Sequence, residues 1–177
     1  MNFGKLIFQP LAQHTKLVAA PTKLMVEKNN LPDILVSEIN PELADTAAFC
    51  EQYDIGLDVS ANCVILEARR GDKTWYVACV ILATTKADVN GIIRRHLDAR
   101  KISFAPMAMA ISLTKMEHGG ITPIGLPNDW PLLIDAQVTQ TARIIIGSGI
   151  RGSKLLVAGK LLSTLPNALV MSIAKQV

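Results

Sequence analysis

The sequence predicts an α+β domain, and three observations carry that expectation. Two β-rich runs, at 63–68 and 74–83, flank Arg69, Arg70, Gly71, Asp72 and Lys73, the pattern of an antiparallel hairpin. Helical spacing of apolar residues appears at 86–99 and again after Pro106, a residue suited to the start of a helix. The remaining short strand and helix candidates alternate without a regular strand–helix–strand repeat, which favours helices packed on a mixed sheet. With 177 residues, 50% of them hydrophobic, the chain can fill one full core.

The elements follow in order. Residues 1–35 carry Pro10, Pro21, Pro32 and the turn signal Asn29-Asn30, and read as an N-terminal extension packed on a main domain at 36–177. A first strand is expected at 34–39. Either Asn40-Pro41 or Asp45 then caps a helix that turns Ala48, Phe49 and Tyr53 inward and ends near Gly56. The hairpin comes next. The helix at 86–99 lines up Val89, Ile93, His96 and Leu97 on one face. A strand at 101–104 and a helix from Pro106 to about Lys115 follow. Strands are expected at 132–136, 143–147 and 154–158, then a helix at 160–165 and a last strand at 169–173.

Composition excludes several classes. Charged residues make up 19%, below the roughly 25% usual for soluble domains, so disorder is not expected. The net charge of +3 and a pI of about 8.8 are mildly basic and compatible with contact to nucleic acid. Cys50, Cys63 and Cys79 are odd in number and lack C-x-x-C spacing, which argues against a disulfide framework or a zinc ribbon and for the cytoplasm. His14, His96 and His118 are scattered, so neither a metal nor a cofactor is expected. No apolar run reaches the ~18 residues of a membrane span.

The motif that points to chemistry is GGITPIG at 119–125. Gly119 and Gly120 expose backbone N–H groups without side-chain cover, Pro123 stiffens the turn, and Gly125 lets it bend back. Such a loop can hydrogen-bond a developing oxyanion; an ordinary tight turn is the competing reading. The stretch from Gly147 to Lys154 has P-loop-like glycines but continues Ser153-Lys154 rather than Lys-Ser, and only 177 − 154 = 23 residues follow, so an NTPase is rejected. As a glycine turn beside Arg151 and Lys154 it either holds a phosphate or is plain surface. Arg94, Arg95, Arg100 and Lys101 are either a contact to a nucleic-acid backbone or a solvated face. Met107, Met109 and Met116 are either a pocket wall or core filling.

Three blocks together carry a family resemblance: Leu113 to Gly125, Asp45 to Cys50 upstream, and Ile134-Asp135 with Gly147 to Gly152 downstream. In order and spacing they resemble the YbaK/EbsC family of free-standing aminoacyl-tRNA deacylases, related to the editing domain of bacterial prolyl-tRNA synthetase. The resemblance covers roughly residues 36 to 173. It implies an α+β fold of the YbaK/prolyl-tRNA editing type, a mixed β-sheet with packed helices. It implies hydrolysis of mischarged tRNA carrying a small amino acid, without a protein nucleophile. The implied partners are the tRNA acceptor end and, further, an aminoacyl-tRNA synthetase.

The resemblance also implies residue roles. Gly119 and Gly120 are the oxyanion donors, so Gly120→Val is expected to block the pocket and spare the fold. Asn62 orients the substrate, and Asp135 reads its ammonium group. Thr46, Pro123, Gly147, Ser148 and Gly149 complete the substrate site. Plainer readings stand beside these: Asn62 bonded to local backbone, Asp135 and Thr46 as helix caps, Cys63 as an inert buried thiol, His118 as a base or a bystander. The chain departs from the family at one place. Where the family carries a lysine at the start of the strand before the central hairpin, this chain has Asn62, and no lysine lies between Lys28 and Lys73. The alternative function is therefore a non-catalytic module that binds aminoacyl-tRNA, a nucleotide or an amino acid.

Overall fold

Tracing the chain shows how short elements assemble around one long hairpin. A computed structural model describes residues 1–176. β1 (Asn2–Phe3) turns at Gly4 onto β2 (Leu6–Ile7), and β3 (Gln9–Pro10) follows. Helix α1 (Ala20–Asn29) has Pro21 in its first turn, where the N–H is not needed, and stops on Asn30 in the left-handed conformation. β4 (Leu35–Glu38) pairs antiparallel with β3.

Both helix starts expected near residue 40 are used. Asn40 accepts from the Glu42 N–H at 3.0 Å and opens a 3₁₀ turn, Pro41–Leu43. Asp45 precedes α2 (Thr46–Tyr53), but its carboxylate makes no cap bond. The helix ends one turn before Gly56 because Asp54 adopts the left-handed conformation, φ 54°.

β5 (Ala61–Arg70) and β6 (Lys73–Leu82) pair along ten residues each. The turn between them needs only Gly71 and Asp72. β7 (Thr85–Ala87) follows. The expected helix at 86–99 is shortened to 89–96. Asp88 accepts from the N–H groups of Gly91 and Ile92, both at 3.1 Å, and starts a π-helical turn, Val89–Ile93, that leads into α3 (Arg94–His96). This cap sets the start three residues later than expected, and Val89, Ile93 and Leu97 of the expected face pack on the cluster of Leu66 and Val77.

β8 (Lys101–Phe104) is followed by α4 (Met107–Thr114), which Pro106 opens as expected. β9 (Leu132–Asp135), α5 (Ala136–Gln140), β10 (Ile144–Gly147), β11 (Ser153–Val157), α6 (Gly159–Leu162), β12 (Ala168–Met171) and β13 (Ala174–Gln176) complete the chain.

The strands form two main sheets. One has the order β12-β9-β6-β5-β8, with β9 parallel to β6 and β12 and the other pairs antiparallel. The other is antiparallel, in the order β10-β11-β4-β3. A bridge from Ser60 to Ile145 joins them where β5 begins. Between them lies the main core: Ile65, Val80 and Ile134 pack with Ile144, Ile146, Leu155 and Val157. β9 and β10 are buried on both faces, which accounts for their unbroken apolar runs. Leu11 enters this core, and Phe8 joins Phe49, Ile145 and Leu156 in a second cluster under α2, so the first 35 residues supply buried side chains. Among the described residues no helix is long and apolar enough to cross a membrane.

Candidate functional site

The seam between the two sheets opens into a cleft of about 430 Å³. Its walls are the first half of β5 (Ala61 to Ile65), the entry to α2 (Ala44, Asp45, Thr46), the loop residues His118, Gly119 and Ile121, and Gly147 and Lys154, with Phe104 and Met107 at the rim. Gly147 and Lys154 lie directly opposite each other across the β10–β11 pair.

Asn62 and Thr46 meet here. The Thr46 hydroxyl donates to Asn62 Oδ1 at 2.5 Å. Thr46 is therefore neither a cap nor free, and it leaves the Asn62 amide NH₂ as a donor without a protein acceptor among the described residues. Asp45 stands beside them, exposed and without a cap bond.

The double glycine divides into two roles. Gly119 lines the cleft at φ +80°, and its N–H has no acceptor among the described residues. Arg151 fixes this turn from behind, donating Nη1 to His118 O and Nε to Pro41 O, both at 3.1 Å. Gly120 is a correction. Its N–H donates to Glu117 O at 2.9 Å and its carbonyl accepts from the Gly149 N–H at 2.7 Å, so it has no donor left for an oxyanion. A Cβ there would come within 2.5 Å of the Ile150 backbone, so Gly120→Val distorts the loop rather than filling the pocket.

Asp135 is corrected too. Oδ1 caps α5 by accepting from Gln137 N at 3.0 Å, and Oδ2 accepts from Ile173 and Ala174 N–H groups at 2.9 and 3.0 Å. The plain capping reading holds, and the carboxylate near the cleft is Asp45. Ser148 and Gly149 also lie outside it: the Ser148 hydroxyl bonds within its own turn, and Gly149 abuts Ala19. Pro123 is buried on the opposite side of its loop, against Met25 and Trp130. Gly147 lines the cleft as part of a strand rather than as a phosphate-binding turn.

Of the thiols, Cys63 lines the cleft, but burial raises its pKa, so it stays protonated. Cys79 is pushed up to about 12 by burial. His118 lines the mouth, exposed. Met107 stands at the rim, whereas Met116 belongs to the core.

Sequence reasoning set Lys154 beside a phosphate-holding or surface turn and missed that it is buried in the cleft. It is only 7% exposed, donates Nζ to Ala44 O at 2.9 Å, and lies 5.3 Å from the centroid of the Phe49 ring. Burial holds its amine down to about 8. The signal was present: strand alternation puts Lys154 on the same face as Leu156, in a run of otherwise buried residues.

A family model described as an aminoacyl-tRNA editing domain matches residues 40–165. No curated protein matches the sequence. Among solved structures, a protein described as a candidate trans-editing enzyme for prolyl tRNA synthetase superposes with a TM-score of 0.75 at 14% identity, over 88% of this chain and 95% of its own. A hypothetical protein gives 0.75 at 17%, over 88% and 99%. A scaffold from an epitope-grafting design gives 0.76 at 15%, over 89% and 97%. At these identities the likeness shows a shared fold.

Proposed function

The chain belongs to the aminoacyl-tRNA editing domain family, and we propose that it acts as a free-standing deacylase that hydrolyses the ester of mischarged tRNA carrying a small amino acid. One observation carries this reading: a carboxylate, a donor amide and an unpaired backbone N–H converge on one cleft without an activated protein nucleophile. An aminoacyl ester presents the complementary groups. Its ammonium suits Asp45, its ribose hydroxyls suit the Asn62 amide, and its carbonyl oxygen suits the Gly119 N–H. Water then attacks the ester carbon with help from the neighbouring ribose hydroxyl, as the family resemblance implies. Walls built from Ala61, Cys63, Ala110 and Ile121 favour a small side chain, because steric exclusion rejects large ones.

A second cleft of about 620 Å³, lined by Arg69, Arg94, Arg100 and Lys101, shares Phe104 with the first. It offers a track for the phosphates of an acceptor end, and Phe104, 63% exposed, offers a face on which a base can stack. Arg69 is engaged by Glu67, whereas Arg100 and Lys101 have no side-chain acceptor among the described residues. Exchanging Arg100 and Lys101 together for glutamate is expected to weaken tRNA binding and to lower the slope of log affinity against log salt by about 2. Filter binding across a salt series reads both, and an unchanged slope would remove this cleft from the proposal.

The direct test is a deacylation screen against correctly charged and mischarged tRNAs, with Gly119→Ala alongside. A methyl group at φ +80° is strained and would sit 2.6 Å from Arg151 Nη1, so the rate is expected to fall at least tenfold while the fold survives. Cleavage of one small aminoacyl ester by the wild type supports the reading. Binding without turnover would favour the non-catalytic module, which the neutral amide of Asn62 makes the second reading.

A further inference from the structure

Lys154 is the only lysine or arginine among the described residues that line the editing cleft. An ammonium has three donors, and the protein gives it one acceptor, Ala44 O, plus the face of Phe49. Among the described residues no carboxylate comes within ion-pair distance of it. A buried cation with so few partners is costly unless something else answers its charge. The entry to α2 adds to the same wall of the cleft. The Asp45 carboxylate does not cap that helix and the Thr46 hydroxyl is turned to Asn62, so the opening N–H groups lack a side-chain acceptor. The positive end of the helix adds to the local potential. Both features ask for an anion.

We propose that Lys154 and the first turn of α2 form an anion site on the floor of the cleft, and that in the deacylation proposed above, on which this inference rests, the site receives the ester carbonyl oxygen as it becomes negative. When the water oxygen bonds to the carbonyl carbon, the C=O π pair moves onto that oxygen and the water's proton passes to the ribose hydroxyl relay. On collapse the pair re-forms C=O, the ester C–O bond breaks, and the ribose oxygen takes up the proton. Full charge on the oxygen exists only between these events. Lys154 therefore acts on kcat rather than on KM.

The charged groups facing Lys154 set its pH dependence. Burial lowers its pKa most, Cys50 on α2 and Asp45 before it raise it, and Arg151 ahead of β11 lowers it, leaving a value of about 8. The cation is present at neutral pH and is lost as the pH rises through that value.

Two measurements test the site. The first is kcat and KM from about pH 6.5 to 9.5, corrected for spontaneous ester loss, on the aminoacyl-tRNA that the wild type cleaves. Lys154→Met is expected to lower kcat about 100-fold or more with KM within about threefold, and the wild-type rate is expected to decline above about pH 8. Lys154→Arg should keep much of the rate and carry it to higher pH, because a guanidinium does not titrate there. The second is NMR of lysine-labelled protein titrated with inorganic phosphate, which should move the Lys154 side-chain resonance and raise its pKa. An unmoved resonance overturns the anion site, as does an active Lys154→Met with unchanged kcat and pH profile. A phosphate effect in a protein that cleaves no aminoacyl-tRNA supports the anion site and overturns the deacylase reading.

Discussion

Lys154→Met is expected to stabilise the protein at pH 7 by about 1–3 kcal/mol, even as it removes a group from the cleft. In the unfolded chain this amine titrates near 10.5, and in the folded chain near 8. Between those values the unfolded chain holds more protons, so stability rises with pH there. Below about pH 8 both states are charged and the cost of burying the ammonium is fully present. Above about 10.5 both are neutral and the cost is gone. The gap between the two values corresponds to about 3 kcal/mol, an upper figure, because methionine also gives up the bond to Ala44 O. Methionine keeps the length of the side chain and packs on Phe49 and Leu156 without a charge to desolvate. Urea unfolding at pH 7 and pH 10 checks the idea: the variant should lead at pH 7, and the lead should shrink at pH 10. If Lys154→Met instead unfolds more easily at pH 7, the ammonium serves to hold Ala44 and α2 in place, and its presence in the cleft is structural.

That expected trade falls at a residue whose burial strand alternation signals, but whose place in the cleft it does not. The parts of the fold that were legible share a short-range physical cause. The β5–β6 hairpin is encoded by its own β-branched residues around Gly71-Asp72, and α4 by Pro106 at its start. The 86–99 segment keeps a helix and its apolar face, but its bounds were not legible: the Asp88 side chain, bonding two N–H groups, starts the helix at Val89, and Asp98 takes the left-handed conformation just beyond it. Gly119, Thr46 and Asn62, each singled out from the sequence, come together on one cleft, but the hydrogen bond that joins Thr46 to Asn62 was not legible. Asp135 misled because a carboxylate at a strand end beside a glycine loop suits a ligand and a helix cap equally well, and only the third dimension shows its bonds to Gln137, Ile173 and Ala174. Lys154 and Asn62 are 92 residues apart (154 − 62). That one strand lacks a lysine while another brings one to the same cleft follows from sheet pairing, which no local pattern carries.

Gly147→Ala is expected to destabilise the protein by about 2–4 kcal/mol and lower its melting temperature by roughly 5–15 °C. A Cβ on Gly147 would lie 2.3 Å from Gly120 O and 2.5 Å from Ile121 O. Both obstacles are backbone and cannot rotate away, so the strand or the loop must move. The loop has little room, since Gly120 is fixed on its other side by Gly149 N–H and the Ile150 backbone. Its displacement shifts Gly119, which lines the cleft, so the proposed deacylation should be lost even well below the melting temperature, where the variant remains folded. Gly152→Ala is the matched control: its Cβ would meet only Pro41 at 3.8 Å, and its φ is not in the left-handed region, so both stability and rate should stay near wild type. Melting curves and single-turnover rates for the pair read the two effects separately. A Gly147→Ala protein that melts with the wild type would mean that the double-glycine loop is not held against β10, and the assignment of Gly119 to the reacting oxygen would lose its geometric basis.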